Sequence, residues 1–174
     1  MPDPLREPAS KRPTVDQQFV LREYRAADFQ RLWEIDQLCF GPGIAYTQMD
    51  LDGFLAQRNA IALVAEFAEP RPDTVPTGQI AGFVVANARS KVGRVVTIDV
   101  LPEARGMGLG ERLMSECELR LRAAGCARVL LETAVNNAAA LRLYEKLGYK
   151  ILRTLPEYYS SESLDAYLMG KQLV

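Results

Sequence analysis

Apolar and polar positions along the chain follow two rhythms. Alternating or continuous β-rich runs at Gln18–Tyr24, Ala60–Phe67, Gln79–Ala88, Val92–Val100, Ala127–Ala134, Tyr149–Leu155 and Leu164–Leu173 predict strands. Between them, apolar residues recur at helical spacing. From Ala27-Asp28 the series Phe29, Leu32, Trp33, Ile35, Leu38 and Cys39 predicts a helix ended by Gly41-Pro-Gly43. Leu51, Phe54 and Leu55 mark a shorter one from about Thr47 to Arg58. Leu109, Leu113, Cys117, Leu121 and Ala124 line one face of a third helix, which Gly125 stops, and Asn136-Asn137 caps a fourth that ends near Gly148. Helices alternate with strands in the middle and hairpins stand at both ends. This predicts an α/β (α+β) fold: a mixed, mainly antiparallel central sheet of about seven strands with helices on both faces.

A length of 174 residues fits one domain, expected over residues 17–174. Met1 to Asp16 carries Pro2, Pro4, Pro8 and Pro13 among charges with no apolar run, and is expected to be a disordered tail rather than a signal or anchor. The stretch Ala68–Gly78 is proline-laden and reads as a surface loop. No segment approaches about 18 consecutive apolar residues, so a soluble, cytoplasmic protein is expected. The net charge of −1 supplies no field to recruit nucleic acid or an anionic membrane, and neither is expected as a partner. The pattern does not distinguish a monomer from a homodimer.

Histidine is absent altogether, which removes His metal ligands, His-based triads and a His general base. Carboxylates, tyrosines, thiols and water are left for proton transfer. Cys39, Cys117 and Cys126 lack metal-ligand spacing and read as buried free thiols. No metal is expected.

The chemistry concentrates at Arg94–Gly110. The β-branched run Val95, Val96, Thr97, Ile98, Val100 leads through Pro102 into a glycine-rich turn that opens directly into a helix. Gly106, Gly108 and Gly110 let the backbone come close to a ligand, and the first amides of the helix have no intrahelical partner. Together with the positive end of the helix dipole and the charge of Arg105, they favour a phosphate. A P-loop would need Lys-Ser/Thr where Glu111 and Arg112 stand. A dinucleotide fingerprint fits less well. It would place its third glycine at Glu111 and its turn directly after the strand, although Glu132 does stand about 20 residues on.

What Arg105–Gly110 does match is Arg-x-x-Gly-x-Gly, which resembles the acyl-CoA pyrophosphate loop of the GNAT superfamily of N-acetyltransferases. Asn137–Tyr149 resembles that family's Asn-x-x-Ala-x-x-Leu-Tyr-x-x-x-Gly-Phe/Tyr segment, at the family's spacing. The resemblance spans about Phe19 to Leu173 and implies an acyl-CoA N-acyltransferase fold that uses acetyl-CoA. Its diphosphate would lie on Arg105, Gly106, Met107, Gly108, Leu109, Gly110 and Glu111. Its arm would run along Ile98, Asp99 and Val100, entering where this strand splays from the one that carries Glu132, with Asn137 beside it. A backbone N–H is implied as oxyanion donor.

The resemblance further implies Tyr144 as general acid toward the leaving sulfur, also in contact with the cofactor, and Glu132 as base. Asp99 is the rival base, on the cofactor strand itself. An acidic residue among Val129, Leu130, Leu131 and Ala134 needs a reason, since burying an unpaired carboxylate costs several kcal/mol. In the family the first helix–loop–helix forms one wall of the acceptor site, which makes Phe40 and Tyr46 candidates; capping the core is the other reading. The run Leu155–Met169 resembles the Tyr-Tyr … Asp-Ala-x-x-Met ending of the ribosomal-protein alanine and protein N-terminal acetyltransferases. It implies that Tyr158 and Tyr159 bond a peptide backbone, against simple stacking in a loop. A protein or peptide N-terminus is therefore the expected acceptor. Alternatives are a small-molecule amine and a sensor that holds acyl-CoA without turnover.

Overall fold

In a computed structural model that describes residues 14–71 and 76–173, one seven-stranded sheet runs through the chain. Its strands are β1 (Phe19–Glu23), β2 (Ala60–Phe67), β3 (Ile80–Arg89), β4 (Val92–Val100), β5 (Arg128–Ala134), β6 (Lys150–Tyr159) and β7 (Leu164–Gln172). The order is β1-β2-β3-β4-β5-β7-β6, and only β4 and β5 run parallel. That agrees with the mixed, mainly antiparallel sheet the pattern predicts. The helices are α1 (Val15–Gln18), α2 (Phe29–Cys39), α3 (Gln48–Leu55), α4 (Leu109–Ala123) and α5 (Ala138–Lys146).

Two expectations at the chain's edges change. Of the tail expected through residue 16, residues 1–13 lie outside the described residues. Thr14 to Asp16 belong to α1 and its cap, where Asp16 pairs with Arg112 of α4 at 3.0 Å and Arg112 Nη1 donates to the Phe19 carbonyl at 2.7 Å. The strand expected at Tyr149–Leu155 continues to Tyr159, so Tyr158 and Tyr159 end a strand rather than sit in a loop. Residues 72–75 of the proline-laden loop also lie outside the described residues.

Helix faces follow the apolar stripes with two exceptions. In α2 the buried residues are Leu32, Ile35 and Asp36, while Leu38, counted on the stripe, is 62% exposed. In α4 Met114 joins the buried face and Ala124 lies outside it. The core gathers Leu32, Ile35, Phe83, Leu113, Met114 and Leu131 between sheet and helices.

The strand that matters most is β4. Val85 faces Thr97, but Ala86 faces Val95, so Val96 is an extra residue that bulges the strand. The bulge resets the alternation of side chains. Gly93 faces Leu121 of α4, where a Cβ would come within 2.8 Å, whereas Thr97 and Asp99 turn toward α2.

Candidate active site

The β4–β5 ladder is short: Val92↔Arg128, Gly93↔Val129, Arg94↔Leu130, and then nothing. Beyond Arg94, β4 stays with β3 and β5 stays with β7, so the two parallel strands part. Leu101 donates to Ala81 on β3, which by antiparallel alternation turns the main-chain groups of Ile98 and Val100 away from β3, into the gap. Side chains already use two carbonyls along this line. Tyr46 Oη donates to Val96 O at 3.2 Å, and Arg105 Nε and Cys39 Sγ donate to Val100 O at 2.9 and 3.5 Å. On its β5 side Ile98 has no strand partner, leaving an edge where an extended amide-bearing chain can add.

The edge leads into the glycine turn. Gly106 and Gly108 have φ of +74° and +83°, a region that costs an L-residue about 1 kcal/mol or more. Gly108 is the N-cap of α4, and the first intrahelical bond is Arg112 N to Gly108 O, so the amides of Leu109, Gly110 and Glu111 stand free of the helix ladder. Gly110 has a different reason to be glycine: a Cβ there would lie 3.2 Å from Leu143 Cδ2 of α5. The Glu111 carboxylate pairs with Lys146 of α5, so Glu111 offers an anion its amide and not its side chain. Met107 stands at the turn's tip, 41% exposed.

Helix α5 sits beside the turn. Asn137 Oδ1 caps it by accepting from Ala140 N at 3.2 Å. It closes on Gly148, φ +90°, with Tyr149 N on Tyr144 O and Gly148 N on Glu145 O, the double bond of a Schellman end. That end sets Tyr144 against Tyr149, ring centroids 5.8 Å apart. Tyr149 is itself anchored by its hydroxyl on Glu118 at 2.9 Å. Tyr144 is buried, and among the described residues no group hydrogen-bonds its hydroxyl. Burial, then Asp99 and Tyr159, raise its pKa above the ordinary tyrosine range, so it holds its proton.

Tyr46 and the Tyr158–Tyr159 pair bring the opposite walls together. Burial raises Tyr46 first, with Tyr158, Tyr159, Asp36 and Asp99 adding to it. The Tyr46 ring meets Phe54 edge-on at 5.3 Å. Tyr158 and Tyr159 meet edge-on at 5.1 Å and 85°, and burial pushes Tyr159 up to about 12, with Tyr158 and Glu132 contributing. Glu157, with φ +48°, precedes them in a bulge, and Asp165 Oδ1 accepts its N–H at 2.8 Å. The loop after α2 and the β6–β7 turn are in contact, since a Cβ on Gly43 would collide with Ser161. Phe40 follows α2, half-buried, its N–H on the Asp36 carbonyl.

The two strand carboxylates differ sharply. Glu132 is paired, with Oε1 2.7 Å from Arg94 Nη2, which supplies the reason its apolar setting called for. Asp99 is buried, accepts from Thr97 Oγ1 at 2.9 Å through Oδ1, and leaves Oδ2 with no partner. Burial above all, then the nearby Asp36, push its pKa well above the carboxylate range against the pull of Thr97 and Arg105.

Sequence reasoning missed Asp36. Its Oδ2 accepts from Tyr46 N at 2.7 Å and Gln37 Nε2 at 3.1 Å, and its Oδ1 is buried without a partner. The signal was a charged residue four positions after Leu32 and three before Cys39, on the apolar stripe. Cys39 also differs from expectation. It is half-buried at the edge of the cofactor strand, and burial, then Asp99, raise its thiol to about 11.

A family model described as the acetyltransferase (GNAT) family matches residues 29–149, and the chain belongs to that family of acyltransferase enzymes. It is 27% identical over 154 residues to an uncharacterized N-acetyltransferase of Methanocaldococcus jannaschii, covering 88% of this chain and 91% of the relative. Over 84 residues, 48% of this chain and 50% of the relative, it is 38% identical to an N-alpha-acetyltransferase of Sulfurisphaera tokodaii. The crystal structure of Ard1 from Thermoplasma volcanium superposes with a TM-score of 0.75 at 28% identity, over 90% of this chain and 99% of that one. Among the described residues no helix is long and apolar enough to cross a membrane, and no cluster of three or more His, Cys, Asp or Glu side chains can hold a metal.

Proposed function

We propose that this acetyltransferase uses acetyl-CoA to acetylate the α-amino group of a protein or peptide N-terminus. The observation that carries the reading is the parting of β4 from β5 above Arg94, with a free strand edge running into the glycine turn. A pantetheine arm fits that edge and a diphosphate fits the amides of Leu109, Gly110 and Glu111, with Arg105 beside them. The N-alpha-acetyltransferase of Sulfurisphaera tokodaii supports the acceptor class.

In the reaction the acceptor nitrogen forms a C–N bond to the acyl carbon and the C–S bond breaks. The amine's proton passes through water to Glu132, and the sulfur departs beside the Tyr144 hydroxyl. A peptide α-amine has a pKa near 8, so roughly a third is neutral at pH 7.5 and an indirect carboxylate base suffices. Tyr144 keeps its proton because it is buried, and the same burial raises the proton affinity of the leaving thiolate that it faces. Asp99, whose burial pushes its pKa up, suits the base role less well than Glu132. Tyr158 and Tyr159 offer hydroxyls to the acceptor backbone, opposite Tyr46.

Thiol release from acetyl-CoA with peptides that differ in their first two residues tests this. Saturable release that depends on those residues, with the acetyl group on the α-nitrogen by mass spectrometry, is expected. Release with no peptide, or only with lysine side chains of N-terminally blocked peptides, overturns the reading.

A further inference from the structure

Two buried carboxylates face the interface of α2 and β4, and each has one oxygen without a hydrogen-bond partner: Asp36 Oδ1 and Asp99 Oδ2. Two like charges buried at one interface are costly, and the usual outcome is that one of them keeps its proton. Donor count decides which of the two stays charged. Asp36 receives a main-chain N–H and a side-chain amide, whereas Asp99 receives one hydroxyl.

We propose that Asp36 and Asp99 hold a single proton between them, Asp99 carrying it, so that charged Asp36 acts as the positioning residue that fixes Tyr46 against the cofactor strand. Calling that wall an acceptor wall rests on the N-terminal acetyltransfer reading; the pair itself does not.

The tether can be followed atom by atom. Asp36 holds Tyr46 N, while Trp33 Nε1 and Gln37 Nε2 donate to Tyr46 O at 3.1 and 2.9 Å. Tyr46 Oη in turn reaches Val96 O, on the bulge of β4. One turn of α2 thus holds both main-chain groups of the residue that bonds the strand edge.

The other ionisable groups around Asp36 are few. From β4 comes Asp99, and Arg105, just after β4, bonds Val100 O. From the loop comes Tyr46 and from α5 Tyr144, which feels Asp99; on α2 itself lie Cys39 and the Arg31–Glu34 pair. On α3 Asp50 and Asp52 are exposed; before α2 Asp28 is paired with Arg22; β3 carries only Arg89, at its exposed end. Among the described residues neither carboxylate forms a salt bridge, and burial raises Asp36 to about 6.

Acidification that adds the second proton weakens the hold on Tyr46 and raises the acceptor KM without changing acetyl-CoA affinity. Carbon-13 carboxyl titration of the full chain without ligands tests the pair. Replacing Asp36 with Asn removes the charge that faces Asp99 and should move the Asp99 titration down by about one pH unit. An unchanged Asp99 titration in that variant, or both carboxylates ionised at neutral pH in the parent, overturns the pair whatever the acceptor proves to be. With an active peptide, Asp36→Asn keeps an oxygen for Tyr46 N and should flatten the acid limb of acceptor KM, while Asp36→Ala should raise KM about tenfold at every pH. Tyr46→Phe should raise it as well, with acetyl-CoA affinity within twofold. A parental pH profile in Asp36→Asn, or a parental KM in both Asp36→Ala and Tyr46→Phe, overturns the positioning role.

Discussion

Arg94 Nη2 meets Glu132 Oε1 at 2.7 Å just where the β4–β5 ladder ends, at Arg94↔Leu130. The ion pair spans the base of the gap and keeps a carboxylate on its β5 side. Arg94 is half exposed, so the pair adds little stability, about 0–1 kcal/mol. Glu132→Gln should therefore leave the denaturation midpoint nearly unchanged while lowering acceptor kcat/KM about 10- to 100-fold, the modest loss expected for a base that works through water. Parental kinetics would reduce Glu132 to a partner for Arg94.

Tyr144 presents a buried hydroxyl with no hydrogen-bond partner among the described residues. Its substitution by Phe removes one oxygen without disturbing the ring contact with Tyr149. Turnover should fall by about 10²-fold or more, with acetyl-CoA affinity by calorimetry within twofold. Equal kinetics for the two proteins would discard the acid role.

Gly108 and Gly110 look alike in the sequence and should behave differently. Gly108 needs φ +83°, so Gly108→Ala should cost about 1–2 kcal/mol and weaken acetyl-CoA binding. Gly110 lies inside α4, where Ala gains up to about 1 kcal/mol of helix propensity and need only displace the end of Leu143. Gly110→Ala should thus be near neutral in urea denaturation and retain binding. If both variants lose binding equally, the loop assignment gives no reason for it.

The pair Tyr158–Tyr159 is presented by a strained residue, Glu157, whose N–H is held by Asp165. Tyr158→Phe and Tyr159→Phe should raise the acceptor KM. Asp165→Ala should do so too, though it touches no substrate, because it frees the bulge that aims both rings. An acceptor KM unmoved in all three removes the peptide clamp.

These elements show what a sequence can and cannot reveal. Val92–Val100 and Ala60–Phe67 were legible to the residue because β-branched continuity and flanking turns specify a buried strand locally. The glycine turn was legible because positive φ leaves a compositional mark. The bulge at Val96 left none, since it arises from pairing with β3, and it decides which face Asp99 occupies. Nor did the sequence reveal that Glu132 lies diagonally across from Arg94, because a cross-strand neighbour follows from register rather than from spacing. Asp36 was hidden for another reason: reading its helix by apolar residues alone assigns every charge to solvent.

Two buried carboxylates, one at the N-cap of α2 and one within it, make opposite demands on pH. Burial pushes Asp28 up, but the Arg22 guanidinium, 2.7 and 2.9 Å away, and the Arg25 N–H outweigh it and hold its pKa below the ordinary value near 3.8. Its stabilisation is fully present above that value and is lost as pH falls through the depressed one. Asp36 runs the other way. Burial raises it from 3.8 to about 6 against the Tyr46 and Gln37 donors. The folded protein binds its proton more tightly, so stability falls as pH rises from about 4 to 6 and is flat above; two pH units correspond to about 3 kcal/mol. Asp36→Asn removes that slope, and Asp99, raised by the same charge, changes in the same sense. Urea denaturation of parent and variant should therefore show the variant gaining up to about 3 kcal/mol relative to the parent between pH 4 and pH 6, any further gain above pH 6 belonging to Asp99. Asp28→Asn should show the reverse, its deficit disappearing as pH drops well below 3.8. A difference between Asp36→Asn and parent that is constant with pH means that Asp36 titrates like a solvated carboxylate, and the buried pair with Asp99 is then wrong.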